Sequence, residues 1–209
     1  MKTPGIKTTC TKTRFLMVRH ATCAHTEDTL LGRVLDAPLD ARGERQAQAL
    51  AARLRREAPL RVECSPRRRT LQTATAIAQH ARCEVRVAPP LDELDFGRWA
   101  GLTFAQLESD DGWRRWNEHR DRARTPAGAR IRTLQRSLNR YLAALAETCV
   151  GATLVLVTHA EIIRSLVLHC LGAPASDYPR FAIDPASITR FSVDAEGVHV
   201  EAVNESALP

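Results

Sequence analysis

The chain has 209 residues, 44% of them hydrophobic: enough to bury the core of one large domain, and too apolar for a wholly disordered polypeptide. Lys and Arg total 30 against 24 Asp and Glu, a formal net charge of +6 that attracts anions without choosing among nucleic acid, anionic lipid and phosphorylated small molecules. No helix-turn-helix, zinc or RNA-binding signature accompanies the arginines, so a nucleic-acid partner is not expected.

In chain order, residues 1–14 are polar and basic with no apolar signal-peptide core. Residues 15–18 (Phe-Leu-Met-Val) form a short unbroken apolar run, the pattern of a strand covered on both faces. Asp40 is placed to cap a helix whose inner face carries Ala47, Leu50 and Leu54. A weaker strand, Arg61–Cys64, precedes a helix with Ser65 as N-cap, Pro66 at its first position and a stripe of Leu71, Ala74, Ile77 and Ala81. Glu84–Val87 is another weak strand. Residues 104–130 are charged, carry Trp113 and Trp116, and read as a small helical cap.

A long helix follows, striped by Ile131, Leu134, Leu138, Tyr141, Leu142 and Leu145. Residues 153–157 (Thr-Leu-Val-Leu-Val) repeat the buried-strand pattern. Residues 162–171 form a helix apolar nearly all round, too short to span a membrane. Two alternating runs, with Thr189, Phe191 and Val193 on one face and Val198, Val200 and Ala202 on another, close the chain as a β-hairpin. Six cysteines at 10, 23, 64, 83, 149 and 170 form no Cys-x-x-Cys pair and read as buried free thiols of a cytoplasmic protein.

Strands alternating with helices give the class: α/β, a three-layer α/β/α sandwich with a mostly parallel central sheet, a small helical cap and a C-terminal β-hairpin. One domain is expected over residues 1–209, with the cap inserted at about 104–130.

Four stretches carry chemistry: Val18-Arg19-His20-Ala21, residues 65–74 around Arg69, residues 91–101 around Glu93, and Val157-Thr158-His159-Ala160. His20 and His159 both follow strands, where open α/β sheets bind ligands. Arg69 lies in the first turn of a helix that begins at a strand end, where free N–H groups favour phosphate. Two arginines hold a phosphoryl group through charge-assisted bonds. A neutral imidazole attacks phosphorus, a carboxyl group protonates the leaving oxygen, and a second histidine donates to the phosphoryl oxygens. Taken one at a time, each residue has a plain reading: a core histidine, a solvated arginine run, a surface acid.

In this order the stretches resemble the histidine phosphatase superfamily, the phosphoglycerate mutase-like family marked by Arg-His-Gly. Arg19-His20 matches that signature, with Ala21 for glycine. Gly32, Asp36-Ala37-Pro38-Leu39 and Gly43-Glu44-Arg45-Gln46-Ala47 match the next segments, followed by Ser-Pro-x-x-Arg-x-x-Gln-Thr-Ala at 65–74, Leu-x-Glu-x-x-Phe-Gly-x-Trp-x-Gly at 91–101, and the strand, His159 and Ile-Arg helix at 159–164. The resemblance covers roughly residues 14–172. It implies His20, Glu93 and His159 as catalytic residues and Arg19, Arg69 and Thr26 as substrate-binding ones. Thr26 stands where the family often has Asn, and the usual Pro-Gly-Gly-Glu-Ser segment is reduced to Pro126-Ala127-Gly128-Ala129-Arg130.

The expected function is phosphomonoester hydrolysis through a phosphohistidine on His20, with Glu93 as proton donor and a phosphorylated small molecule as substrate. No metal or cofactor is expected, since neither a His-x-x-x-His nor an Asp-x-Asp-x-Asp pattern occurs. The alternatives are a phosphoglycerate mutase-type phosphotransferase and a non-catalytic phosphate-binding regulatory protein. Mutases of this kind carry a longer insertion after the Glu93 region, whereas here about 25 residues separate Gly101 from Pro126. The residues leave the oligomeric state and the natural substrate open.

Overall fold

The structure, a computed structural model, describes residues 12–25 and 27–206. Its centre is a six-stranded sheet in the order β3-β2-β4-β1-β5-β6. The strands are β1 (Thr13–Arg19), β2 (Arg61–Cys64), β3 (Glu84–Val87), β4 (Thr153–Thr158), β5 (Ile188–Asp194) and β6 (Gly197–Glu205). The first four run parallel to one another; β5 and β6 are antiparallel additions.

The apolar runs of β1 and β4 are unbroken because both faces of the sheet are covered. Leu16 and Val18 join Val155 and Val157 on one face, beneath α1 (Ala41–Leu54) and α2 (Arg68–Ala81). Phe15 and Met17 join Leu154 and Leu156 on the other, beneath α5 (Ile131–Thr148) and α6 (Ala160–Cys170). The period of two along each strand thus feeds two cores, and the layers are α/β/α.

Between sheet and solvent, residues 104–130 supply two short helices, α3 (Phe104–Glu108) and α4 (Asp111–Glu118). Thr103 and Gln106 form a capping box, and the Asp110 carboxylate accepts from Trp113 N. Leu107 and Trp116 are buried in a third cluster with Leu94, Phe96, Trp99, Ile131 and Ala175.

Three expectations are corrected. Helix α2 begins after Arg67, not at Ser65-Pro66; its N-terminus is capped from a distant loop, where the Asp36 carboxylate accepts from Arg68 N at 2.7 Å. Leu71 is solvent-exposed, because the inner face of that first turn is taken by Arg69, Thr70 and Thr73. On β6 the core-facing residues are Val198, Val200 and Val203 rather than Ala202: the register against β5 shifts on both sides of Arg190, and the extra β6 residues break the alternation.

Among the described residues no two cysteines form a disulfide; Cys23, Cys64 and Cys149 are buried, Cys83 and Cys170 only half-buried, and Cys10 lies outside the described residues. Among the described residues no helix is long and apolar enough to cross a membrane.

Candidate active site

Strand register brings the two histidines together. Arg19 pairs with Thr158 at the ends of β1 and β4, so His20 and His159 leave adjacent strands at the same level. His20 N donates to Thr158 O at 2.9 Å, and the two imidazole centroids lie 5.4 Å apart, edge to face. Strand β2 ends in step with them: Cys64 pairs with Val157, and Ser65 N donates to Val157 O.

The loop after β1 is pinned from both helices of one layer. Ala21 N donates to Thr73 Oγ1 of α2, and Thr22 N to Gln46 Oε1 of α1. The α1 backbone approaches so closely that a Cβ on Gly43 would sit 1.9 Å from Thr22 O, which only glycine avoids.

His20 is 5% exposed. Its Nδ1 lies 2.9 Å from Ala21 O, which can only accept, so Nδ1 holds the proton and Nε2 keeps its lone pair. Burial, reinforced by the Arg69 and Arg19 charges, pushes its pKa well below the usual histidine range and keeps the ring neutral.

Arg69 is 1% exposed and donates to Leu35 O, Gly32 O and Nδ1 of His159. Arg19 donates to Ile183 O at 2.6 Å. Each of these two arginines has a buried Nε with no hydrogen-bond partner, so donor capacity is left over for an anion.

His159 is fully buried and likewise held neutral, by burial first and then by Arg69. Since Arg69 only donates, Nδ1 accepts, and the proton sits on Nε2, 2.8 Å from Ser65 Oγ. Ser65 in turn donates to Asp92, and both Asp92 oxygens take bonds from Arg67 at 2.8 Å. Ser65, expected as a helix cap, belongs to this network instead.

Glu93 projects toward the same point from the loop after a short 3₁₀ turn, Pro89–Leu91. Its Oε1 accepts from Leu94 N, and its Oε2 lies 3.7 Å from Nδ1 of His159. Burial pushes this carboxyl up to about 7, with the Arg69 charge opposing.

Arg19, His20, Arg69 and Glu93 line one cavity of about 320 Å³. Its outer walls come from Phe104, Trp113, Asn117 and Arg120 of the 104–130 stretch and from Glu161, Arg164 and Tyr178. Glu161 and Arg164 lie inside the quoted 159–164 match, which gave them no role; the other outer residues escaped sequence reasoning, because the 104–130 stretch has no clean periodicity and Tyr178 lies in a 3₁₀ segment, Ala175–Arg180. Ser65 and Asp92 were also missed, although both sit inside the quoted motifs. Thr26, expected to bind substrate, lies outside the described residues. Among the described residues, one group has ligand atoms close enough for a metal ion: Asp194, Glu196 and His199 in the β5–β6 hairpin.

The profile described as Histidine phosphatase superfamily (branch 1) matches residues 15–206. Phosphoserine phosphatase 1 of Hydrogenobacter thermophilus is 29% identical over 83% of this chain and 83% of its own. The protein named "Probable phosphoglycerate mutase GpmB" of Escherichia fergusonii is 31% identical over 83% of this chain and 82% of its own. Among solved structures, the native mycobacterial glucosyl-3-phosphoglycerate phosphatase superposes with a TM-score of 0.82 at 26% identity, covering 93% of this chain and 100% of that one. The profile match spans β1 to β6 and takes in His20, Arg69, Glu93 and His159 together: the chain belongs to branch 1 of the histidine phosphatase superfamily.

Proposed function

We propose that the protein hydrolyses phosphomonoesters of small molecules through a covalent phosphohistidine on His20. The observation that carries this is the fixed tautomer of His20: Nδ1 is committed to Ala21 O, and the free Nε2 belongs to a buried, neutral imidazole beside two arginines with unused donors.

In the first step Arg19 and Arg69 hold the phosphoryl oxygens while Nε2 of His20 attacks phosphorus. The ester P–O bond breaks, and the leaving oxygen takes the proton of Glu93, whose pKa of about 7 keeps it substantially protonated near neutrality. In the second step ionised Glu93 removes a proton from water, the resulting hydroxide attacks phosphorus, the P–N bond breaks, and inorganic phosphate departs. His159, neutral and with its single N–H held by Ser65, acts through Arg69, whose guanidinium its Nδ1 holds in place beside the phosphoryl oxygens. All of these steps use side chains of this chain. The relatives named for phosphoserine and glucosyl-3-phosphoglycerate phosphatase activity support a phosphorylated small molecule as substrate.

The relative named as a phosphoglycerate mutase favours a second reading, in which the phosphoryl group passes from His20 to another hydroxyl instead of to water. Rapid-quench labelling with a ³²P-ester, combined with assay of released phosphate, tests both. An acid-labile, base-stable phosphoenzyme that decays to inorganic phosphate supports hydrolysis. Decay only in the presence of an acceptor alcohol or a bisphosphate activator supports transfer. A folded His20→Ala protein with near wild-type turnover overturns both.

A further inference from the structure

Four arginines and two glutamates line the cavity, and three of the arginines are accounted for. Arg19 and Arg69 face the phosphoryl position beside His20. Arg120, 4% exposed, is neutralised by Glu161 at 2.6 Å and donates also to Asn117 Oδ1. Arg164 is the remainder. It forms no hydrogen bond and no ion pair among the described residues, and its Nε is buried without a partner. Its guanidinium lies 4.3 Å from the Tyr178 ring centroid, with the Arg120 guanidinium 3.6 Å from the same centroid. The plane of Arg164 is thereby fixed against one wall of the cavity while its fork stays unfilled.

The charge balance of the cavity defines what fills it. With Glu93 protonated for the first step, Arg120 and Glu161 cancel, and a phosphate dianion answers Arg19 and Arg69. One positive charge, on Arg164, is left. Resting on the phosphatase reading above, we infer that Arg164 recognises a carboxylate on the alcohol portion of the substrate, so that the preferred substrates are phosphate esters of small hydroxy acids. A carboxylate supplies one negative charge and two oxygens in the plane that an arginine fork matches, whereas a neutral sugar or polyol leaves the guanidinium unpaired in a partly dry cavity. The 320 Å³ of space limits the ester to a small molecule.

The test compares 3-phosphoglycerate with glycerol 3-phosphate, a pair differing only in carboxylate against hydroxymethyl. The full chain is assayed with both, and with 4-nitrophenyl phosphate as a carboxylate-free report on the chemistry. Wild-type kcat/KM is expected to favour the acid by roughly 10- to 100-fold, the range of discrimination by one charged hydrogen-bonding group. In Arg164→Gln this ratio collapses to within about threefold, and Arg164→Lys, which keeps the charge without the fork, restores part of it. The ratio is taken within one preparation, so any partly unfolded fraction cancels. A wild-type ratio near one, with 4-nitrophenyl phosphate still hydrolysed, overturns the inference and leaves the phosphatase reading standing. So does a large ratio that survives in Arg164→Gln. Absence of turnover of all three esters by the wild type overturns the phosphatase reading, and this inference with it.

Discussion

Nε2 of His159 lies 2.8 Å from Oγ of Ser65, at the junction of two strands that are neighbours in the sheet but 94 residues apart in sequence. The contact fixes one tautomer of a fully buried ring and ties it, through Asp92, to the Arg67 ion pair.

Replacing Ser65 with Ala leaves the His159 N–H without a partner in a dry site. The expected result is a kcat about tenfold lower with KM changed less than threefold, and a loss of roughly 1–3 kcal/mol in unfolding free energy. Steady-state kinetics and urea denaturation measure the two effects. An unchanged kcat would show that the orientation of His159 does not depend on this hydroxyl.

In the proposed mechanism Glu93 has to be protonated to assist departure of an alkoxide, whereas nitrophenolate leaves without it. Glu93→Gln should slow single-turnover phosphorylation by an alkyl phosphate about 10²- to 10⁴-fold, and far less with 4-nitrophenyl phosphate. In the wild type the alkyl reaction should fall as pH rises through about 7, where the buried carboxyl ionises. Equal losses on both substrates would remove Glu93 from the acid role.

The same groups set opposing terms in stability. Glu93 has a raised folded pKa of about 7, so above its unfolded value of 4.5 the unfolded chain releases a proton that the folded one keeps, and folding weakens as pH rises toward 7. His20 and His159 have depressed folded pKa values; below 6.5 the unfolded chain takes up protons that the folded one refuses, and folding weakens as pH falls. Glu93→Gln should therefore be more stable than wild type at pH 8, by roughly 1–3 kcal/mol. That variant should then lose about 1 kcal/mol per histidine between pH 7.5 and 5.5. Urea titrations at these pH values decide it; a Glu93→Gln protein as stable at pH 5.5 as at 7.5 contradicts the buried neutral histidines.

Arg19→Ala and Arg69→Ala should each weaken vanadate or phosphate binding by roughly 1.5–3 kcal/mol, the scale of one charged hydrogen bond. Arg69→Ala should also lower stability, because it strips partners from Gly32 O and Leu35 O, while Arg19→Ala frees only Ile183 O. Titration calorimetry with the oxyanion and a thermal melt separate the two effects. Unchanged affinity in both variants places the anion site elsewhere.

The layers were legible because buried parallel strands advertise themselves as unbroken apolar runs, and residues 15–18 and 153–157 do so plainly. His20 and His159 were legible because each directly follows such a run. Their contact was not, since it depends on the register of Arg19 with Thr158, which no local pattern encodes. Ser65-Pro66 carries a strong local helix-start signal and misled for that reason: the capping carboxylate comes from Asp36, 32 positions upstream of Arg68, and frees Ser65 for His159. The outer cavity wall was hidden because Arg120, Arg164 and Tyr178 come from three separate segments and meet only when folded.

Strand β4 lies between β2 and β1 although it follows both in the chain. As the polypeptide leaves the ribosome, β1 and β2 emerge with a strand-wide gap between them, and their apolar edges stay unpaired until residues 153–158 arrive. The interval is the period of greatest exposure to intermolecular pairing, and a chain stopped short of Thr158 has neither a closed sheet nor a second histidine. Joining of the four parallel strands and arrival of the second histidine are therefore one event, and β5 and β6 then add to the remaining edge of β1.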